Sequence, residues 1–288
     1  MFTLTCIGVG NMGGAVARRL VTGEFDVTVY DPDEAAMDRC VESGATKASS
    51  FEEAVRSGDV VLTSLPTTAL VLDTVEKIAA ELPEGRTVVD ISTIDPGTAR
   101  RAATICEEHG LDFVACALGK TPAHAEQGAI PLFVGGAPDV LDALEPLFER
   151  MGEKTYRFDD VEGATAFKLV SNQIGMTNVV TLAEGLAVAR GAGISPELFT
   201  EALKDTGAVS FQSEVRLPWM LEHDWSSRFG VDLAAKDVGL ALDTARAQGL
   251  DTPVSTAALE QLRKSSAQGS GREDVVAVAK LYAEGSEG

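Results

Sequence analysis

Basic residues are scarce in this chain. Only 24 lysines and arginines stand against 44 aspartates and glutamates in 288 residues, a formal net charge of −20. A nucleic-acid partner needs a basic footprint to displace counterions, so the composition argues against one. Lysine is rarer still, 9 against 15 arginines; an acidic, well-hydrated surface of this kind fits plain solubility or adaptation to high salt. Long hydrophobic runs are missing as well, which argues against a membrane span, although 45% hydrophobic residues suffice for a full core. No charged leader precedes the first apolar run: Met1-Phe2-Thr3 passes straight into it, so a cytoplasmic protein without a signal peptide is expected. Cysteine is confined to Cys6, Cys40, Cys106 and Cys116. Their scattered positions show neither CxxC nor metal-ligand spacing and imply buried thiols in a reducing compartment, with no metal. Internal repeats are absent, and the tail Glu284–Gly288 alone reads as low-complexity and mobile.

What is present concentrates in Leu4–Asp31. The run Leu4–Gly8 reads as a strand, Gly8-Val9-Gly10-Asn11-Met12-Gly13 as a tight turn opening a helix through Leu20, and Asp26–Tyr30 as a second strand ending on Asp31. This is the order a dinucleotide site requires. Gly8 permits the sharp turn, Gly10 lets a pyrophosphate approach the backbone, and Gly13 lets helix and strand pack closely. Free N–H groups at the helix start, including those of Asn11 and Met12, face the phosphates. Asp31, 18 residues past Gly13, can accept hydrogen bonds from the adenosine ribose and repels a 2′-phosphate. NAD is therefore expected over NADP.

Strand and helix signals alternate onward. Strand-like runs lie at Val60–Leu65, Thr87–Ile91, Phe113–Ala117, Leu132–Val134 and Thr155–Phe158, with helical patterns at Thr68–Leu82, Pro96–His109 and Pro138–Met151. Repeated βα units predict an α/β fold with a Rossmann-type doubly wound parallel sheet over residues 1–160. Its ligand crevice should lie beyond the strand carboxyl ends, which bring Leu65 and Pro66, and Ser92 and Thr93, beside the glycine turn. After residue 160 strand signals stop. A long apolar helix, Ala164–Gly191, is followed by helical patterns at Pro196–Asp205, Ser210–Glu222, Asp232–Gln248, Val254–Gln268 and Glu273–Ala283. Residues 161–288 thus read as an all-helical substrate and oligomerisation domain, and a cleft between the domains is the natural place for nicotinamide chemistry.

Lys168 and Asn172 lie four apart on the first helix of that domain and share a face. A lysine amid Phe167, Leu169 and Val170 is either snorkelling to a surface or held in a pocket. Reducing a carbonyl with hydride requires a proton at the developing alkoxide, which a partly desolvated ammonium can supply. The reverse direction requires its pKa to fall from about 10.4, as burial near a positive nicotinamide can achieve.

On these residues the chain resembles the β-hydroxyacid dehydrogenase family, which includes 3-hydroxyisobutyrate dehydrogenases and tartronate semialdehyde reductases. The resemblance rests on Gly8-Val9-Gly10-Asn11-Met12-Gly13, on Asp90-Ile91-Ser92-Thr93-Ile94-Asp95-Pro96 matching DxSTxxP, on Lys168 with Asn172, and on Lys236-Asp237 after Phe229. It implies a Rossmann domain followed by a helical domain like that of 6-phosphogluconate dehydrogenase, NAD as cofactor, Lys168 and Asn172 as catalytic residues, and Lys236 closing over the cofactor. By the same resemblance Ser92, Gly119, Lys120, Thr121, His124 and Asp237 face the substrate, and Leu65, Pro66 and Thr93 the cofactor.

There are departures. Where the family usually reads Asp-Ala-Pro-Val-Ser-Gly-Gly, this chain reads Ala115-Cys116-Ala117-Leu118-Gly119-Lys120-Thr121. That loop looks more like the Gly-Arg-Thr of sulfolactaldehyde reductases, with Lys120 lacking arginine's bidentate fork. The resemblance implies a small anionic aldehyde or hydroxy acid as substrate, with a hydroxy-sulfonate pair somewhat favoured. Alternatives are a 3-hydroxyisobutyrate dehydrogenase or a tartronate or succinate semialdehyde reductase. Imine reductases share the fold but carry aspartate or tyrosine at the lysine position. A non-catalytic dinucleotide-binding adaptor is disfavoured by Lys168 itself. Several residues also have plainer readings: Lys120 as a solvated loop lysine, Lys236 paired with Asp232, His109 and His223 as helix ends, and Trp219 and Trp225 as packing. A homodimer or homotetramer is expected.

Overall fold

The computed structural model describes residues 2–23 and 25–282. It contains two compact units, Met1–Lys168 and Leu169–Gly288, which divide within a long helix rather than at its start. The helix end expected at Ala283 and the tail 284–288 lie outside the described residues.

In chain order the first unit comprises β1 (Leu4–Ile7), α1 (Asn11–Val21), β2 (Val27–Tyr30), α2 (Glu34–Val41), β3 (Thr46–Lys47), α3 (Phe51–Ser57), β4 (Val60–Thr63) and α4 (Thr68–Glu81). It continues with β5 (Thr87–Asp90), α5 (Pro96–Glu108), β6 (Asp112–Leu118), α6 (Pro122–Glu126), β7 (Pro131–Gly135), α7 (Pro138–Ala143), α8 (Glu145–Met151) and β8 (Lys154–Phe158), and ends in the start of α9 (Val161–Gly191). The sheet order is β3-β2-β1-β4-β5-β6-β7-β8. Successive side chains serve opposite faces. Leu4, Cys6, Leu62, Val89, Val114 and Cys116 join one core with α1, α2 and α8. Ile7, Val61, Val88, Phe113 and Ala115 join the other with α3, α4 and α5. A sheet buried on both faces is why these strands read as nearly continuous apolar runs.

Two features depart from the expected pattern. Strand β7 runs antiparallel to β6 and carries β8 parallel to itself. The β6–β7 connection, residues 119–130, holds only the five-residue α6, in place of the longer crossover helix that usually joins parallel strands. The single helix expected over Pro138–Met151 is two, α7 and α8, because Pro146 lacks an N–H and its ring clashes with the preceding turn. All four cysteines are buried free thiols. Desolvation pushes the Cys6 and Cys106 thiols up to about 12.

The second unit takes the rest of α9 and adds α10 (Pro196–Leu203), α11 (Phe211–Glu222), α12 (Val231–Ala247), α13 (Pro253–Ser265), a π turn Ser266–Ser270 and a 3-10 helix Val275–Tyr282. On α9, Met176, Val179, Val180, Ala183 and Leu186 form one face and meet Leu217, Val238, Leu262 and Val276. The last segment tightens where an α-helix was expected. There Asp274 accepts hydrogen bonds from the backbone of Val276, Phe229 and Arg228 and pairs with Arg216 at 2.7 Å. Both side chains of that pair are buried. Replacing Arg216 by alanine leaves a buried carboxylate without its cation. The expected loss is about 3–5 kcal/mol in urea unfolding, against under about 1 kcal/mol for Lys77→Ala in the exposed Lys77–Asp73 pair.

Candidate functional site

The order of strands reverses between β1 and β4, the point at which doubly wound sheets bind ligands. The first unit holds its glycine turn there. Gly8 has φ of +84°, and a Cβ on it would lie 2.4 Å from the Ser64 carbonyl oxygen. A Cβ on Gly13 would lie 2.0 Å from the Gly8 carbonyl oxygen. Both positions therefore admit only glycine. At Gly10 a Cβ would meet nothing within 4 Å, so open space lies over the start of α1.

Helices α2 to α5 close their first turns with a side chain: Asp33 on α2, Ser50 on α3, Thr67 on α4 and Asp95 on α5. The α1 N-cap is Gly10, with no side-chain cap and no acid in the first turn. Its leading N–H groups are left for an anion. Beside them the Asp31 carboxylate accepts from Val9 N and Asp33 N, both at 2.8 Å. These residues suit a dinucleotide: Gly10, Asn11, Met12 and Gly13 would hold the pyrophosphate, and Asp31 the ribose.

The ends of β4 and β5 are tied together by a buried carboxylate. Asp90, 2% exposed, accepts from Thr63 Oγ1 at 2.7 Å and Ser92 Oγ at 2.6 Å. Ser92 in turn accepts from Leu65 N at 2.8 Å. The Ser92 proton is thus directed at Asp90, and its chief effect is to fix Leu65 beside the glycine turn. Pro66 is exposed and Thr93 half-buried. The sequence motif contains Asp90 but does not reveal Thr63 as its partner. The usable signal is a lone acid ending an otherwise apolar strand.

The polar groups of the loop after β6 pair within the first unit. Gly119 donates to the Pro131 carbonyl at 3.0 Å, and a Cβ there would strike Pro131 at 2.6 Å. Thr121 Oγ1 and His124 Nδ1 are 2.7 Å apart and form one polar pair at the start of α6. Lys120, expected as an anion ligand, sends its ammonium to Glu153 Oε1 at 2.6 Å and to the Ala129 carbonyl at 2.8 Å. Its left-handed backbone, φ +62°, goes with that direction. Glu153 has no motif to announce it.

Lys168 ends the first unit, half-buried. Asn172 lies one turn further along α9, in the second unit. There Asn172 Nδ2 donates to Asp237 Oδ2 at 2.7 Å, and Lys236 Nζ reaches Asp237 Oδ1 at 3.0 Å. Asp237 is 2% exposed. Lys236 therefore pairs with its neighbour, while Asp232 accepts from Ser266. His109 ends α5, His223 ends α11 and stacks on Trp225, and Trp219 lies under Arg228 at 4.0 Å. Among the described residues no helix is long and apolar enough to cross a membrane.

Known proteins resemble the chain along nearly its whole length. Residues 3–159 match a family profile described as the NAD binding domain of 6-phosphogluconate dehydrogenase. Residues 163–282 match one described as NAD-binding of NADP-dependent 3-hydroxyisobutyrate dehydrogenase. The chain is 30% identical to the NAD-dependent L-serine dehydrogenase of Pseudomonas aeruginosa, over 98% of each chain. It is 26% identical to the 3-sulfolactaldehyde reductase of Escherichia coli, over 96% of this chain and 95% of that one. A solved structure of Mycobacterium tuberculosis 3-hydroxyisobutyrate dehydrogenase with L-serine superposes with a TM-score of 0.89 at 25% identity, covering 98% of this chain and 99% of that one.

Asp31→Asn keeps an acceptor for Val9 N–H but removes the charge. NADH affinity is expected to fall about tenfold with NADPH affinity unchanged or improved, as read by fluorescence titration. An unchanged ratio of the two affinities would count against Asp31 as the ribose ligand.

Proposed function

This chain belongs to the β-hydroxyacid dehydrogenase family and is an NAD-dependent oxidoreductase, and we propose that it interconverts a short β-hydroxy acid and its semialdehyde. The observation that carries this reading is the Asn172 amide held by a buried Asp237, one helical turn from Lys168. In that role Lys168 Nζ gives its proton to the substrate oxygen during reduction and takes it back from the hydroxyl during oxidation. Asn172, its amide direction set by Asp237, holds that oxygen in line. The bound cofactor would supply the hydride as NADH and accept it as NAD+. Lys236, tethered to Asp237, is the cation that the second unit offers.

A carboxylate is the favoured anion. The Gly119-Lys120-Thr121 sequence suggests a sulfonate, but Lys120 is engaged by Glu153 and Ala129. That leaves Thr121, His124 and backbone N–H groups as donors on this loop. L-Serine, named for one relative, is itself a β-hydroxy acid, which supports the same class. We further assign the protein to the cytoplasm, where its buried free thiols would stay reduced. A homodimer or homotetramer would cover the second unit's exposed Ile174, Val188 and Leu198.

The test is NADH consumption with methylmalonate, tartronate and succinate semialdehydes and 3-sulfolactaldehyde, and NADH formation with 3-hydroxyisobutyrate and L-serine. Turnover of a carboxylate member is expected. Lys168→Ala should lower kcat by about 10²–10⁴-fold with NADH affinity retained. Wild-type turnover in that variant would overturn the assignment.

A further inference from the structure

We infer that Glu153 is a positioning residue for substrate binding, acting through Lys120 to hold the loop that carries Thr121 and His124. The inference rests on the reading above that this loop meets the substrate.

The loop leaves β6 at Gly119 and rejoins the sheet at Pro131. Three bonds fasten its base. Gly119 N donates to the Pro131 carbonyl at 3.0 Å. Lys120 Nζ reaches forward across the loop to the Ala129 carbonyl at 2.8 Å. The same ammonium meets Glu153 Oε1 at 2.6 Å, on the turn between α8 and β8. Glu153 is itself fixed, since its N–H donates to the Ile130 carbonyl at 3.0 Å. One cation therefore joins the start of the loop, its end and the neighbouring turn. At the far side of α6, Arg18 Nε binds Glu126 Oε1 at 2.9 Å, which anchors the loop to the helix that opens the cofactor site.

Lys120 adopts a left-handed backbone, φ +62°, a conformation that costs a side-chain-bearing residue free energy and persists where surrounding contacts hold it. Those contacts are Glu153 and Ala129. The clasp positions Thr121 and His124, whose side chains are already joined at 2.7 Å, while the Lys120 charge stays neutralised.

Lys120→Met, Glu153→Gln and the double variant separate a clasp from a direct ligand. The pair is partly exposed, with side chains at 30% and 50%, so its loss is expected to raise KM about fivefold. That rise should be seen with methylmalonate semialdehyde as probe, with kcat within twofold of wild type. The two single changes should act alike, and the double variant should be no worse than either. Hydrogen exchange of peptides covering 119–131 should quicken equally in all three. A direct ligand behaves differently: Lys120→Met alone would raise KM and Glu153→Gln would leave it unchanged or lower it, overturning the inference. Unchanged exchange in 119–131 would also overturn it. If no semialdehyde or hydroxy acid of the panel is turned over, the proposed function fails on its own, and the exchange data still decide the clasp.

Discussion

The candidate chemistry depends on one buried carboxylate. Asp237 is almost fully removed from solvent and receives an amide hydrogen of Asn172 on one oxygen and the Lys236 ammonium on the other. A buried charge is tolerated only when paired and hydrogen-bonded, so Asp237 constrains both neighbours. It joins α9 to α12 and removes the freedom of the Asn172 amide to turn over. It also keeps a lysine at a set place on α12. The apolar face of α9, from Met176 to Leu186, then carries the same packing into the core of the second unit.

The cofactor half rests on a different constraint, close approach of backbones. Gly13 and Gly8 touch where side chains would collide, and Ser64 at the end of β4 completes that contact. The price of a Cβ at either place is displacement of main chain, not rotation of a side chain. Gly10 is free of such contact and opens the helix start to an anion. Asp90 then holds Ser92, and through it Leu65, so that the ends of β4 and β5 form a fixed rim. Rigid rims of this kind limit what must be ordered when a ligand binds.

Much of this was legible in the residues themselves. The β1–α1–β2 unit declares itself because each glycine has a separate steric reason, and Lys168 with Asn172 share a face because helical period requires it. The second unit reads as helical from its apolar spacing. The short elements were not legible. Strand β3 has two residues and α6 five, too few for a period to show. The break at Pro146 was readable from proline chemistry, but the reversal of β7 goes with a connection that holds only the short α6. Lys120 shows the limit most clearly. Its type and place in the loop suggest an anion ligand, yet its direction is set by Glu153, 33 positions away in sequence. Long-range pairing of charges leaves no local pattern, and the same holds for Thr63 with Asp90 and for Arg216 with Asp274.

The most direct test of the account is the kinetics of Asp237→Asn with an aldehyde that the wild-type protein reduces. Asparagine keeps the size of the side chain but lacks the charge that orders Asn172 and Lys236. The account predicts a fall in kcat of about 10²-fold, with NADH affinity close to wild type and a lowered thermal unfolding midpoint that still leaves the protein folded at the assay temperature. A folded Asp237→Asn protein that turns over at the wild-type rate would contradict it.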